Sequence, residues 1–172
     1  MKLPFEIDLK GKVAVVTGGG GVLCSGFAKT LAACGAKVAV CDLRLEAAEA
    51  VAEKINAEGG IAKAFRANVL DRAAMEQVHA DVNAEFGKCD ILVNGAGGNN
   101  PRATTDKEYY EPGDIDADTK SFFDLDADGV GFVFNLNFLG TLIPTQAFAR
   151  QMVGREGCNI INVSSMNAYT PL

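Results

Sequence analysis

Four consecutive glycines, Gly18 to Gly21, constrain the fold of this 172-residue chain more than any other feature. They follow residues 13–17, an apolar and largely β-branched run that is typical of a strand buried on both faces. Behind them, residues 22–34 carry apolar side chains at helical spacing, and Gly35 follows as a helix-ending residue. Strand, glycine loop and helix in this order predict the first half of a βαβ unit, whose helix N-terminus can hold a pyrophosphate.

The alternation of strand and helix patterns continues along the chain. Short apolar runs predict further strands at residues 36–41, 61–65, 90–93 and 159–163. Amphipathic patterns predict helices at residues 45–58 and 71–86. A further helical segment is expected at about 126–152, where Gly129, Gly131, Gly140 and Pro144 weaken its early turns or kink it. We therefore expect one α/β domain over residues 1–172, with a doubly wound parallel sheet between two layers of helices.

Residues 98–120 interrupt this alternation. The segment is polar, rich in Asp, and longer than most loops between a strand and a helix. Loops of this length commonly carry function. We therefore interpret residues 98–120 as an insertion beside the predicted site.

Charge and hydropathy argue against several classes of partner. The formal net charge of −6 disfavours binding to nucleic acid or to an anionic membrane surface. No apolar run is long enough to span a bilayer, and the first eight residues lack the apolar core of a signal peptide. We expect a cytoplasmic protein whose partner is a small molecule.

Metal and disulfide frameworks are also disfavoured. The five cysteines are an odd number without paired spacing, which predicts reduced, buried thiols. Residues 124–129 match the start of an EF-hand calcium loop, but its twelfth position is Asn135 instead of Glu. Helix capping by Asp126 or Asp128 accounts better for this segment than a calcium site at 124–135. We predict no metal centre.

Asp42 is the first candidate ligand outside the glycine loop. It follows the second predicted strand, where a carboxylate can accept hydrogen bonds from the adenosine ribose. Its charge would repel a 2′-phosphate and so favours NAD over NADP. Arg44, two residues later, leaves NADP open because its guanidinium could receive that phosphate. The alternative for Asp42 is a cap at the start of the next helix.

Four segments together resemble the short-chain dehydrogenase/reductase family, whose fold is a Rossmann-type αβα sandwich. The similar segments are Lys10 to Gly18, the turn Asn94-Gly95-Ala96-Gly97, Asn137 to Gly140, and Ile160 to Ser165. They occur in the family's order and spacing over the whole chain. The resemblance implies an oxidoreductase that uses NAD, or less readily NADP.

The resemblance also implies a set of cofactor contacts. Gly18, Gly20, Gly21, Val22 and Leu23 would surround the pyrophosphate. Asn68 would offer a carbonyl oxygen to the adenine amino group, and Val69 would pack on the ring. Asn94, Gly95, Ala96 and Gly97 would let backbone approach the ribose on the nicotinamide side. Thr17 is expected to tie the loop through its hydroxyl.

The glycine loop departs from the family pattern at two positions. The later two motif glycines of the family correspond by position to Val22 and Cys24, and Gly21 stands one residue early. The pose of the pyrophosphate is therefore left open. A thiol at a helix N-terminus would have a lowered pKa, which predicts a reactive Cys24. The alternative is a small packed residue.

For catalysis, the resemblance assigns Ser165 to the substrate oxygen and Asn137 to a water in a proton relay. The alternatives are a turn hydroxyl for Ser165 and a satisfied core amide for Asn137. The family's Tyr-x-x-x-Lys pair is absent from this sequence, since neither Tyr109 nor Tyr110 has a lysine four residues later. We therefore expect the chain to be the N-terminal part of a longer enzyme and to be inactive by itself.

A narrower resemblance is carried by residues 99–106 and 122–126. These segments are similar to a subgroup described as D-mannonate oxidoreductases or fructuronate reductases, which implies a sugar acid or keto sugar as substrate. The family also implies a homo-oligomer at full length. A dinucleotide-binding sensor without catalysis is the alternative function.

Overall fold

A computed structural model describes residues 7–165 and contains a five-stranded, wholly parallel sheet. The strands are β1 (Val13–Thr17), β2 (Lys37–Asp42), β3 (Ile61–Arg66), β4 (Ile91–Asn94) and β5 (Asn159–Asn162). Their order in the sheet is β3-β2-β1-β4-β5. The buried β1 pairs with β2 on one side and β4 on the other. The chain reverses direction across the sheet after β3, so β1 and β4 flank the switch point where doubly wound sheets bind ligands.

Helices cover both faces of the sheet. They are α1 (Val22–Ala33), α2 (Leu45–Ala57), α3 (Arg72–Glu85), α4 (Ala127–Phe134) and α5 (Gly140–Ala149). A π-helical segment, Asn135–Leu139, joins α4 to α5. The N-terminus of α3 is capped as a sequence pattern would suggest, because the Asp71 carboxylate accepts a hydrogen bond from the Ala74 amide at 3.1 Å.

The alternation of side chains along β1 divides the core into two clusters. Ala14 and Val16 pack with α1 and α2 on one face, whereas Val13 and Val15 pack with α3 and α5 on the other. This three-layer arrangement confirms the predicted doubly wound α/β fold. Each predicted strand is present, with bounds that differ by one residue at most.

The helical segment predicted at about 126–152, with weakened turns or a kink, is present but interrupted, and its predicted C-terminal end is wrong. The structure has α4, the π-helical segment and α5 in its place, and α5 ends at Ala149. Two side chains accompany the wider turn: Asn137 Nδ2 donates to the carbonyl of Val133 at 2.8 Å, and Thr141 Oγ1 donates to the carbonyl of Asn137 at 3.1 Å. Such bonds offer partners outside the regular helical ladder.

The insertion contains two short 3₁₀ turns, Pro101–Ala103 and Asp114–Asp116, and a third, Phe122–Asp124, follows it. Its ends are tied together where Asp106 and Lys120 exchange backbone and side-chain hydrogen bonds of 2.8–2.9 Å. The predicted loop therefore has a defined path of its own.

All five cysteines are free thiols, and four of them are buried, as predicted. Within residues 7–165, no helix is both long enough and apolar enough to cross a bilayer.

Candidate functional site

The loop after β1 forms the floor of a groove at the carboxyl edge of the sheet. Gly18 has a φ of +64°, a left-handed conformation that side chains disfavour. A Cβ on Gly18 would also lie 2.9 Å from backbone atoms of Ala96. This position therefore requires glycine, and the loop runs directly against the turn after β4.

The N-terminus of α1 opens into this groove. Gly21 is the N-cap residue, no side chain caps the helix, and its first turn holds no acidic residue. The first amides of a helix have no intrahelical partner and carry partial positive charge. Gly21, Val22 and Leu23 line the groove, which has a volume of about 450 Å³, and the Val22 side chain is 97% exposed. An anion such as a pyrophosphate fits these donors.

Asp42 lies at the end of β2 with its carboxylate held in place. One oxygen accepts a hydrogen bond from the Gly20 amide and the other from the Arg44 amide, both at 3.0 Å. Arg44, not Asp42, is the N-cap of α2, so the helix-cap alternative for Asp42 is wrong. Each oxygen keeps acceptor capacity for a ligand hydroxyl. Gly20 supports Asp42 through its amide and does not line the groove.

Asn68 and Val69 form the far end of the groove, next to the end of β3. Asn68 is exposed, and its Oδ1 accepts a hydrogen bond from the Leu70 amide at 3.1 Å. Val69 is buried against Gly140, where an added Cβ would lie 3.0 Å from Val69 Cγ2. Both residues lie in the same groove as Asp42, as the sequence predicted for a common ligand.

The turn after β4 is tied to the glycine loop by Thr17. The buried Thr17 hydroxyl accepts hydrogen bonds from the Gly95 amide at 3.1 Å and the Ala96 amide at 3.2 Å. This confirms the predicted tie. Gly95, Ala96 and Gly97 line the groove, whereas the buried Asn94 lies beneath it and donates to Thr145 Oγ1 and Asn162 Oδ1, both at 2.9 Å.

Cys24 is a packed residue and not a reactive thiol. Burial, and secondarily the nearby Asp42 charge, raises the pKa of Cys24 above its ordinary value. The prediction of a lowered pKa is therefore wrong, because the helix N-terminus is outweighed by desolvation. The thiol occupies the space beside Gly95, where an added Cβ would lie 2.2 Å from Cys24 Sγ.

A second, larger cavity of about 770 Å³ adjoins the groove and shares residues 95–97 with it. Ser165 and Asn137, the two predicted catalytic residues, both line this cavity. Asn94 and Asn162 join the ends of β4 and β5 beneath it. The cavity therefore lies next to the end of the groove opposite Asn68.

The Asn137 amide is fully engaged by the protein backbone. Its Oδ1 accepts from the Gly98 amide at 3.1 Å, and its Nδ2 donates to the Gly98 carbonyl at 2.8 Å. This is a satisfied amide, although it is exposed and not in the core. Asn137 thus holds the chain after β4 against the π-helical segment, and its place in a proton relay stays a prediction.

The calcium-like segment serves as a helix start. Asp126 accepts a hydrogen bond from the Gly129 amide at 2.6 Å and forms an ion pair of 3.2 Å with Arg102. This confirms the predicted cap. Over the described part of the chain, residues 7–165, no group of three or more His, Cys, Asp or Glu side chains could hold a metal ion.

A sequence model of the short chain dehydrogenases matches residues 12–172, which is most of the chain. The chain belongs to the short-chain dehydrogenase family. The matched region includes three of the segments that carry the resemblance: the glycine loop, the turn after β4 and the serines after β5.

Relatives within the family include named oxidoreductases. An uncharacterized oxidoreductase of Haemophilus influenzae is 53% identical over all of this chain and 60% of its own length. The D-threitol dehydrogenase of Mycolicibacterium smegmatis is 32% identical over all of this chain and 59% of its own length. The chain therefore spans about 60% of the length of these relatives.

Solved structures of the family carry the same fold. A Haemophilus influenzae protein, provisionally named a D-mannonate oxidoreductase and crystallised with bound NAD, aligns with a TM-score of 0.92 at 54% identity. The alignment covers 96% of this chain and 59% of that one. An NAD⁺-bound xylitol dehydrogenase aligns with a TM-score of 0.78 at 27% identity, over 94% of this chain and 56% of its own.

Sequence reasoning missed residues that reach the groove from two places. One is the central helix, which comprises α4, the π-helical segment and α5, and the other is the connection between β2 and α2. Phe132, Leu136 and Leu43 line the groove together with the predicted residues. The spacing of four between Phe132 and Leu136 was a signal, since such residues share a helix face. The direction of that face depends on how the central helix crosses the sheet, which local patterns do not reveal.

Proposed function

We propose that this chain forms the cofactor-binding part of an NAD-dependent oxidoreductase that acts on the alcohol or ketone group of a sugar acid. One observation carries the proposal: the uncapped N-terminus of α1, the Asp42 carboxylate and the turn at residues 95–97 meet in one groove. The family match supports it, as does the bound NAD in a relative of 54% identity.

In this proposal, each wall of the groove holds one part of the dinucleotide. The amides of Val22 and Leu23 hold the pyrophosphate, because that of Gly21 already donates to the Gly18 carbonyl at 3.0 Å. The Asp42 oxygens accept hydrogen bonds from the adenosine ribose. Asn68 and Val69 receive the adenine, and the backbone of residues 95–97 lies against the second ribose. The fixed negative charge of Asp42 disfavours a 2′-phosphate and makes NAD the preferred cofactor.

The second cavity receives the substrate. The nicotinamide of a bound cofactor supplies or accepts a hydride. Ser165 orients the substrate oxygen, and Asn137 fixes the Gly98 backbone, which lines the substrate cavity directly after the shared residues 95–97. The name of the Haemophilus influenzae relative supports D-mannonate and D-fructuronate as the substrate pair.

Calorimetric titration of the chain tests the cofactor assignment. We expect NAD to bind at least about tenfold more tightly than NADP, because one unfavourable charge contact of about 1.4 kcal/mol has that effect. Asp42→Ser should narrow or reverse this preference, since Arg44 then faces a 2′-phosphate without a competing carboxylate. The exposed Asp116→Ser is the matched control and should leave the preference unchanged.

The proposal fails if the folded chain binds neither dinucleotide. The substrate assignment is tested separately, by following NADH oxidation in a protein of the relatives' length that carries this chain. D-fructuronate should be turned over faster than other keto acids and keto sugars, and a higher kcat/KM for a neutral keto sugar would contradict the assignment.

A further inference from the structure

Phe132 is an aromatic side chain without an assigned role in the site. It belongs to α4, remains 44% exposed, and is the only aromatic residue among those of the described chain that line the dinucleotide groove. A phenyl ring presents a flat apolar face that stabilises a complex chiefly when another group covers it. The exposed ring in this groove therefore has unused binding surface.

The position of Phe132 follows from the packing of the central helix. Phe132, Leu136 and Gly140 are spaced by four residues. Phe132 and Leu136 line the groove together with residues 67–70, and Gly140 packs on Val69. Gly140 is buried against Val69, Leu136 is half-buried, and Phe132 is exposed. The central helix thus packs tightly at Gly140 against Val69, which follows β3, and is more exposed to solvent at Phe132.

The strand order determines which part of a dinucleotide reaches this end. A pyrophosphate at α1 lies over β1, and Asp42 at the end of β2 marks the ribose. β3 is the next strand outward, and the Ala67 amide donates to the Asp42 carbonyl at 2.8 Å. The group beyond the ribose therefore lies over residues 67–70, and in NAD that group is adenine.

We propose that Phe132 stacks on the adenine ring and determines how tightly the adenosine end of the cofactor is held. This inference rests on the proposed function, since it assumes a dinucleotide in the groove. Stacking uses the face of the base, whereas Asn68 is placed to meet its polar edge. Phe132 thereby contributes affinity for a planar base in addition to the hydrogen bonds of Asp42.

Truncation of the ring is the first test, with ADP-ribose and NAD as the titrated ligands. Phe132→Ala should weaken both about tenfold, which is within the range measured when a stacking aromatic is removed. Phe132→Tyr should stay within about twofold of the original, because it keeps the ring face. Phe134→Ala is the matched control: Phe134 lies on the same helix, is 70% exposed, and lines neither the groove nor the second cavity.

A spectroscopic test does not depend on the stability of the alanine variant. The chain contains no tryptophan, so Phe132→Trp places a single tryptophan at the stacking position, and its emission can be excited separately from that of the three tyrosines. When ADP-ribose is added, adenine stacked on the indole should quench the tryptophan emission of Phe132→Trp. The emission of the Phe134→Trp variant should change little.

The outcomes separate this inference from the proposed function. If the unaltered chain binds neither ligand, the proposed function fails and the stacking contact fails with it. If the chain binds NAD but Phe132→Ala binds equally well, or Phe134→Ala loses as much affinity, only the stacking contact is overturned. Unquenched emission from Phe132→Trp under saturating ADP-ribose would contradict it independently.

Discussion

Cys24 and Gly95 share one small volume between α1 and the turn after β4. The Cys24 side chain is 4% exposed, and a Cβ at Gly95 would lie 2.2 Å from its sulfur but 3.6 Å from its Cβ. The sulfur is therefore the main obstacle to a side chain at Gly95, and the Thr17 carbonyl oxygen is the next nearest atom at 3.1 Å. A cysteine where the family pattern has glycine is accommodated by a glycine in the adjoining turn.

This pair predicts a non-additive double mutant. Gly95→Ala should lower the free energy of unfolding by about 2 kcal/mol, as overpacking of a core does. Adding Cys24→Ala should restore more than about 1 kcal/mol of that loss, because the clashing sulfur is gone. Urea unfolding of the two single variants and the double variant measures the coupling. Additive effects would contradict the shared volume.

Residue-scale predictions from the sequence succeeded where a backbone position dictates the role. Thr17 lies at a defined point of a strand–loop–helix unit, so the tie that its hydroxyl makes could be inferred from spacing. The predicted reactivity of Cys24 was wrong because it depends on burial, and burial depends on which way α1 faces. A pattern along one element does not contain that information.

At the scale of elements, the central helix shows the limit of periodicity. The sequence predicted a helical segment over about 126–152 that its glycines and Pro144 would weaken or kink, but it did not predict the π-helical turn at Asn135–Leu139. The π-helical turn depends on side-chain bonds to carbonyls, such as Asn137 to Val133 and Thr141 to Asn137. Those bonds form between residues four apart that also fit a regular helix, so the sequence alone does not distinguish them.

The insertion is held by a buried carboxylate. Asp114 accepts hydrogen bonds from Lys107 Nζ and from the Glu111 amide, both at 2.8 Å. The Lys107 bond, followed by the Glu111 amide, lowers the pKa of Asp114 below its ordinary value. Hydrogen bonds from Lys107 to the Asp114 carboxylate, and then to the Glu111 carboxylate at 2.7 Å, raise the pKa of Lys107. The insertion is therefore most ordered between acid and strongly alkaline pH.

Asp114→Asn should loosen the insertion at neutral pH. Because the folded pKa of Asp114 is lowered, its stabilisation is fully present above about pH 4 and is lost as the pH falls through the folded value. Amide hydrogen exchange in residues 106–120 should be faster in the variant at pH 7, and the difference should vanish in acid. The exposed Asp116→Asn is the control, and an equal effect there would contradict the role of Asp114.

At the scale of the whole molecule, Asp90 joins several chain segments at the end of the sheet opposite the groove. Its buried carboxylate accepts from the Val13 amide at 2.9 Å and pairs with Arg155 Nη2 at 2.6 Å. Arg155 also donates to the Cys89 carbonyl at 2.9 Å. One carboxylate thus links the starts of β1 and β4 to the segment between α5 and β5.

Asp90→Ala should lower the free energy of unfolding by about 2–3 kcal/mol, since it leaves a strand amide and a half-buried guanidinium without their partner. The affinity of the folded variant for NAD should not change, because the groove lies at the other end of the strands. Lys12→Gln, which removes an exposed charge 3.6 Å from Asp90, should cost less than about 1 kcal/mol. Chemical unfolding and calorimetry separate the two effects.

The fold could be inferred from the sequence because strand and helix patterns alternate with little interruption. Contacts distant in the chain could not be inferred in the same way. Asp90 and Arg155 are 65 residues apart, and Phe132 lines the same groove as residues 67–70 only after the central helix has packed. These features depend on tertiary packing, which no local pattern records.

Val22, the first residue of α1, is almost fully exposed directly after the glycine loop. Ligand binding there therefore includes a hydrophobic contribution that glycines alone would not supply. A ligand seated at the start of α1 must cover an isopropyl group as well as meet amide donors. Water released from that group contributes a favourable entropy near room temperature and a negative heat-capacity change. Part of the affinity for an anionic ligand would then persist at salt concentrations that weaken its electrostatic contacts.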